Sequence, residues 1–286
     1  MNANPYKSLK SGSDIRGTAC EGVPGEDVEL TDKAVFDLTV GFCRWLSRDA
    51  DVKGGKIAVG HDSRISAERI KNQVISALGE FGFEIFDCGY ASTPAMFMTT
   101  VDLDCSASVQ ITASHHPFNK NGLKFFTREG GLNGSDIEKI IDYAVEPVEI
   151  SGSTPSVTAV DYMSVYSKRL RDMICEGVNA EDYEAPLKGF RIVVDAGNGV
   201  GGFYATQVLE PLGADITGSQ FLEPDGMFPN HIPNPENKEA MRSISDAVIT
   251  SGADFGVIFD TDVDRAGAVL SDGSELNRNR IIAMLA

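Results

Sequence analysis

Three carboxylates close the run Phe255-Gly256-Val257-Ile258-Phe259-Asp260-Thr261-Asp262-Val263-Asp264-Arg265. An apolar strand delivers them at i, i+2 and i+4, and in an extended backbone such side chains share one face. Like charges at ~4 Å repel by several kcal/mol per pair at an effective dielectric of about 20. A divalent cation removes that penalty. With oxygen donors alone and no His or Cys beside them, Mg²⁺ is the natural occupant. An EF-hand loop would need Gly at its sixth position and Glu at its twelfth, where Arg265 and Ser271 stand. A solvated acidic turn is the plain alternative.

A second constellation is Thr112-Ala113-Ser114-His115-His116-Pro117, followed by Asn119-Lys120-Asn121-Gly122-Leu123-Lys124. A strand that ends in small residues and then Ser presents a hydroxyl at a loop tip, where backbone amides are free. His and Lys beside it supply proton-transfer groups and positive charge for a phosphate. A hydrolase triad is disfavoured, because the nucleophile elbow G-x-S-x-G is absent. A third pattern, Gly197-Asn198-Gly199-Val200-Gly201-Gly202, follows the apolar run Phe190–Val194 and fits G-x-G-x-x-G, with Asp215 near the ribose-partner spacing. Any tight strand-to-helix turn wants such glycines too.

The elements that must carry these residues alternate. A helix capped by Thr31 has an apolar stripe Val35, Leu38, Phe42 and Trp45 or Leu46. A strand at 56–60, a helix over 66–81 and strands at 84–87, 107–111 and 122–127 follow. Ser151-Gly152-Ser153-Thr154-Pro155 breaks the pattern. Beyond it come a helix over 161–175, a strand at 190–195, a helix from Gly201, a strand at 214–221, a helix over 238–251 and a strand at 255–259. This rhythm predicts an α/β protein of two domains, 1–152 and 156–286.

The totals agree with a soluble enzyme: 42% of residues are hydrophobic and 23% charged. Forty-two Asp and Glu oppose 25 Lys and Arg, a formal charge of −17. That excludes a nucleic-acid or anionic-membrane binder and demands local cations wherever a phosphorylated substrate docks. Five scattered cysteines, none in C-x-x-C spacing, and no signal peptide or membrane span indicate a reduced, cytoplasmic chain. The apolar stretch Arg280–Ala286 lacks a helix stop signal, so the chain reads as cut from a longer protein, with a terminal helix docked on its own domain as the plainer alternative.

The run TASHHP-x-x-K-N-G-x-K closely resembles the phosphoserine loop of the α-D-phosphohexomutases, and D-T-D-V-D-R resembles their metal loop, usually D-G-D-x-D-R. Ser13–Gly17, Val59–Arg64, Ala91–Pro94 and Pro224–Pro229 match further segments in the same order. His116 departs from the usual Asn, and Thr261 from the usual Gly. A haloacid-dehalogenase-type enzyme, whose strand also ends in D-x-D, would need catalytic motifs after Asp264, where little sequence remains.

The resemblance implies two consecutive three-layer α/β/α domains with mixed sheets, ending at the start of a third, and no dinucleotide at the Gly-rich turn. It implies that Ser114 carries the phosphoryl group, with Mg²⁺ held by Ser114, Asp260, Asp262 and Asp264. Arg16, Lys124 and His115 would serve catalysis, while Arg265, Arg64 and His116 would bind phosphate. The expected reaction interconverts hexose 1- and 6-phosphates through a hexose 1,6-bisphosphate. As an incomplete N-terminal piece, the chain would turn over poorly. A non-catalytic half-length relative that binds a phosphosugar or a partner is the alternative.

Overall fold

The computed structural model describes residues 4–152, 154–277 and 283, and these form two compact units that divide between Tyr162 and Met163. In the first unit, strands β1 (Lys10–Ser11), β2 (Asp14–Thr18), β3 (Lys56–His61), β4 (Glu84–Tyr90), β5 (Ala107–Ile111), β6 (Lys120–Thr127), β7 (Gly130–Gly131) and β8 (Ser156–Ala159) make one sheet. Its order is β1-β2-β6-β5-β3-β4-β8, with β7 paired to β6. β3 runs parallel to β4 and β5, and β4 parallel to β8, whereas β6 is antiparallel to β2 and β5.

Helices α1 (Asp32–Arg48), α2 (Ala67–Glu80) and α4 (Gly134–Tyr143) cover one face. Thr31 accepts a hydrogen bond from Ala34 N–H and starts α1. The stripe Val35, Leu38, Phe42 and Leu46 is buried against Ile57, Val59, Val109, Ile111, Leu123 and Phe125 of the sheet. Alternate strand positions look the other way. There Ser108 Oγ donates to Met96 O and Gln110 Nε2 to Ala91 O, both at 2.7 Å, tying β5 to α3 (Thr93–Asp102) and its leading turn.

The chain break expected at 151–155 is not where the first unit ends. Ser156–Ala159 form β8, an added edge strand in register with Glu84–Asp87. Tyr162, fully buried, donates its hydroxyl to Asp102 at 2.8 Å and closes the unit. Helix α5 (Tyr162–Val178) follows.

The second unit holds β9 (Ile192–Asp195), α6 (Lys238–Ser251), β10 (Phe255–Phe259) and β11 (Ala266–Leu270). β10 lies between β9, parallel, and β11, antiparallel. Asn237 caps α6, and Val193, Ile244, Val248, Ile258 and Val269 form the core. The strand expected at 214–221 reduces to two single bridges, Arg191 to Asp215 and Asp195 to Gln220. Asp215 turns the chain by accepting from Thr217 N–H, and Gly218 follows at φ +100°, which breaks the ladder. The helix expected from Gly201 is a turn leading into a π-helical segment, Tyr204–Leu209. The helix expected at 280–286 lies, Ala283 apart, outside the described residues.

Candidate active site

Ser114 sits three residues beyond β5, fully buried, at φ +54°. A left-handed backbone costs a non-glycine residue roughly 1–2 kcal/mol, so neighbouring bonds must hold it there. Its N–H donates to Thr112 Oγ1 at 2.8 Å, and that hydroxyl donates to Asp62 Oδ2 at 2.7 Å. His116 N–H closes the turn on Ala113 O at 3.2 Å. His115 Nδ1 stands 3.4 Å from Ser114 Oγ, at the edge of hydrogen-bond reach.

The cations expected beside the serine come from the paired strands β2 and β6. Arg16 Nη2 contacts Asp14 Oδ2 at 2.7 Å, and Lys124 Nζ contacts the same oxygen at 3.4 Å. Gly122 lies opposite Arg16 in the ladder. A Cβ there would meet Ile15 O at 2.3 Å and Thr112 O at 2.8 Å, so only glycine lets the Arg16 strand approach the serine loop this closely. The His116 ring lies 4.9 Å from that of His115, tilted by 34°. Burial, then the charges of Arg16, His115, Arg64 and Lys120, pushes its imidazole down to about 4. It is therefore neutral near pH 7.

Arg64 departs from its expected role. Its side chain is entirely buried. Nε donates to Asp62 Oδ2 at 3.1 Å, Nη1 to Pro117 O at 2.6 Å and Lys120 O at 3.1 Å, and Nη2 to His116 O at 2.8 Å and to Ser114 O. An arginine has five N–H donors, and these five bonds use them. The phosphate-binding assignment fails because no donor is left to offer.

In the second unit, Asp260, Asp262 and Asp264 each bring a carboxylate oxygen within 4.8 Å of the others; the first two are buried and the third exposed. They converge by a route other than the extended face. Asp260 N–H donates to Arg265 O at 3.2 Å and Arg265 N–H to Asp260 Oδ1 at 3.0 Å, so the β10–β11 hairpin closes there and the chain reverses within it. Val263 takes φ +65° in that reversal, strained for a β-branched residue. Among the described residues, the single atoms Asp262 Oδ1 and Thr261 Oγ1 are buried and meet no hydrogen-bond partner. Arg265 Nε lies 3.5 Å from Asp260 and 3.6 Å from Asp264, offsetting part of the charge. A buried carboxylate oxygen without a donor, among converging carboxylates, fits a hard divalent cation.

The Gly-rich turn packs on this loop. A Cβ on Gly199 would meet Thr261 O at 2.6 Å, and Val200 N–H donates to Thr261 O at 2.9 Å. Sequence reasoning missed the neighbouring His231–Asp195 pair. His231 Nε2 is 3.0 Å from both Asp195 oxygens and Nδ1 3.0 Å from Ile232 O. Burial lowers the imidazole's pKa, but the hydrogen bond and charge of Asp195 outweigh it, and the net shift is upward. Thirty-six residues separate the partners, so only His231 within Phe228-Pro229-Asn230-His231 could have signalled it.

A serine loop in one α/β/α unit and a carboxylate hairpin in the next define the phosphohexomutase class. Residues 8–149 match the family model "Phosphoglucomutase/phosphomannomutase, alpha/beta/alpha domain I", and residues 166–273 match domain II. The chain belongs to the phosphoglucomutase/phosphomannomutase family and carries its first two domains. It is 32% identical over 230 residues to a phosphomannomutase/phosphoglucomutase of Pseudomonas aeruginosa, covering 80% of this chain and 47% of that protein. With a phosphoglucosamine mutase of a Sulfurovum species it shares 34% over 249 residues, 82% of this chain and 52% of the relative. The chain thus spans about half the length of the curated relatives it matches. A crystal structure of a phosphoglucomutase/phosphomannomutase family protein from Burkholderia thailandensis superposes with a TM-score of 0.79 at 24% identity, covering 100% of this chain and 58% of that one.

Proposed function

We propose that this chain performs the phosphoryl-accepting chemistry of a phosphohexomutase, with Ser114 as acceptor and donor. The observation that carries the reading is the serine loop: a hydroxyl held on a left-handed turn, 3.4 Å from an imidazole and beside strands bearing Arg16 and Lys124. Ser114 Oγ takes the phosphoryl group of a hexose 1,6-bisphosphate, releasing the hexose monophosphate, as its own proton leaves, with His115 Nδ1 at 3.4 Å as an acceptor. In the reverse step the phosphoryl group passes to a hydroxyl of the hexose monophosphate. Arg16 and Lys124 orient that hydroxyl and supply positive charge, each anchored by Asp14. Net transfer moves phosphate between the 1- and 6-positions of a hexose.

Asp260, Asp262 and Asp264 would hold Mg²⁺, which offsets negative charge as a phosphoryl group leaves its oxygen. Arg265, against Asp260 and Asp264, would supply positive charge for a phosphate oxygen. Free cysteines suit a cytoplasmic location; no helix among the described residues is long and apolar enough to cross a membrane.

Intact mass with site mapping tests the reading, before and after glucose 1,6-bisphosphate with Mg²⁺. One phosphate on Ser114, absent from Ser114→Ala, is expected. Phosphate on Asp260 would overturn it in favour of a dehalogenase-type aspartyl nucleophile.

A further inference from the structure

Asp62 and Arg64, in the turn after β3, form an ion pair whose two side chains are both wholly shielded from solvent. The pair holds the serine from both sides, Arg64 directly and Asp62 through Thr112. Upstream, the peptide N–H of Ser114 is fixed through Thr112 Oγ1, which donates to Asp62. Downstream, the Ser114 carbonyl accepts from Arg64 Nη2. One peptide plane sets φ at Ser114 and the other sets ψ, so a single ion pair fixes both dihedrals of the residue. The remaining Arg64 bonds, to His116, Pro117 and Lys120 carbonyls, extend the hold over the rest of the loop.

We propose that Arg64 is a positioning residue for phosphoryl transfer, acting with Asp62 to lock the backbone of Ser114 so that its hydroxyl keeps one direction. The proposal rests on reading Ser114 as the phosphoryl acceptor. Arg64 works by shape rather than by field. Asp62 neutralises its charge at 3.1 Å, and its donors are turned to backbone oxygens. A lysine cannot replace it, since an ammonium is a point donor and cannot span four carbonyls and a carboxylate.

The test compares parent, Arg64→Lys and Thr112→Val chains, followed by the rate of Ser114 phosphorylation from glucose 1,6-bisphosphate with Mg²⁺ and by amide hydrogen exchange. Arg64→Lys is expected to slow phosphorylation by about 100-fold, the scale of a small misplacement of a reacting group, with the half-saturating bisphosphate concentration changed only a few-fold. Thr112→Val, which removes only the relay hydroxyl, is expected to slow it by about tenfold. Amides of Ser114 and His116 lose protection in Arg64→Lys while those of α1 and β10 keep it. A folded Arg64→Lys chain phosphorylated at the parent rate would overturn the proposal. So would a weaker half-saturation at unchanged rate, which would make Arg64 a phosphate ligand. If Arg64→Lys does not fold, Thr112→Val decides by the same two readouts. If the parent takes no phosphate, the acceptor reading fails, and exchange alone decides the clamp: unchanged protection at Ser114 and His116 overturns it.

Discussion

At the scale of single residues, charge accounts for much of the site. Asp262 is fully buried, and its carboxylate lies within 4.8 Å of those of Asp260 and Asp264, so it repels its neighbours in the absence of metal and is stabilised when a cation binds. Asp262→Asn is expected to raise the melting temperature in chelator, by relief of repulsion, and to weaken Mg²⁺ binding by about 100-fold, the loss of some 3 kcal/mol. Calorimetric titration and thermal melts with and without Mg²⁺ check both signs, and a melting temperature that falls in chelator would contradict the repulsion. Residues whose chemistry shows in their own type were legible: Ser114, the three aspartates and the cations around them. Arg64 was misassigned because a guanidinium in a phosphosugar motif looks like a phosphate ligand. What decides its role is five acceptors, four of them backbone carbonyls 50 to 56 residues away, which no side-chain spelling records.

At the scale of elements, the hairpin tip and the Gly-rich turn are one packed unit. Gly199 presses on the backbone of Thr261, between two of the carboxylates. Gly199→Ala is expected to destabilise the chain by about 1–3 kcal/mol through overpacking and to weaken Mg²⁺ binding although residue 199 bears no ligand. Urea unfolding and metal titration measure the two effects, and an unchanged metal affinity would uncouple turn and loop. The glycines were legible, but their purpose was not, since a dinucleotide turn and a packing turn share the same letters. Long periodic helices such as α1 and α6 were also plain in the sequence. β2, spelled Asp-Ile-Arg-Gly-Thr, was not seen as a strand because its polar residues serve the site. α3 hid behind Thr93-Pro94, whose start is a Ser92 cap.

At the scale of the whole molecule, one histidine ties pH to stability in the second unit. His231 has its pKa raised by Asp195, so its contribution is complete below the unfolded value near 6.5 and is lost as pH climbs through the higher folded value. Melting temperature is therefore expected to fall as pH rises above about 6.5. His231→Asn should melt lower below about pH 6.5 and show a flatter decline as pH rises from there; parallel slopes would mean the pair does not govern the trend. The division into two units was legible from the Ser-Gly-Ser-Thr-Pro break, but its place was not. β8 is short, with all four residues exposed, and it becomes a strand only because β4 offers it an edge. That edge decides how the protein can be dissected. A first unit expressed alone and ended at residue 152 would leave β4 with unpaired backbone groups, an open template for sticking to other copies. One carried through Tyr162 keeps β4 paired, leaves only the short strand β8 at the edge and has its last side chain bolted to Asp102, and is expected to stay monodisperse in light scattering where the shorter one aggregates.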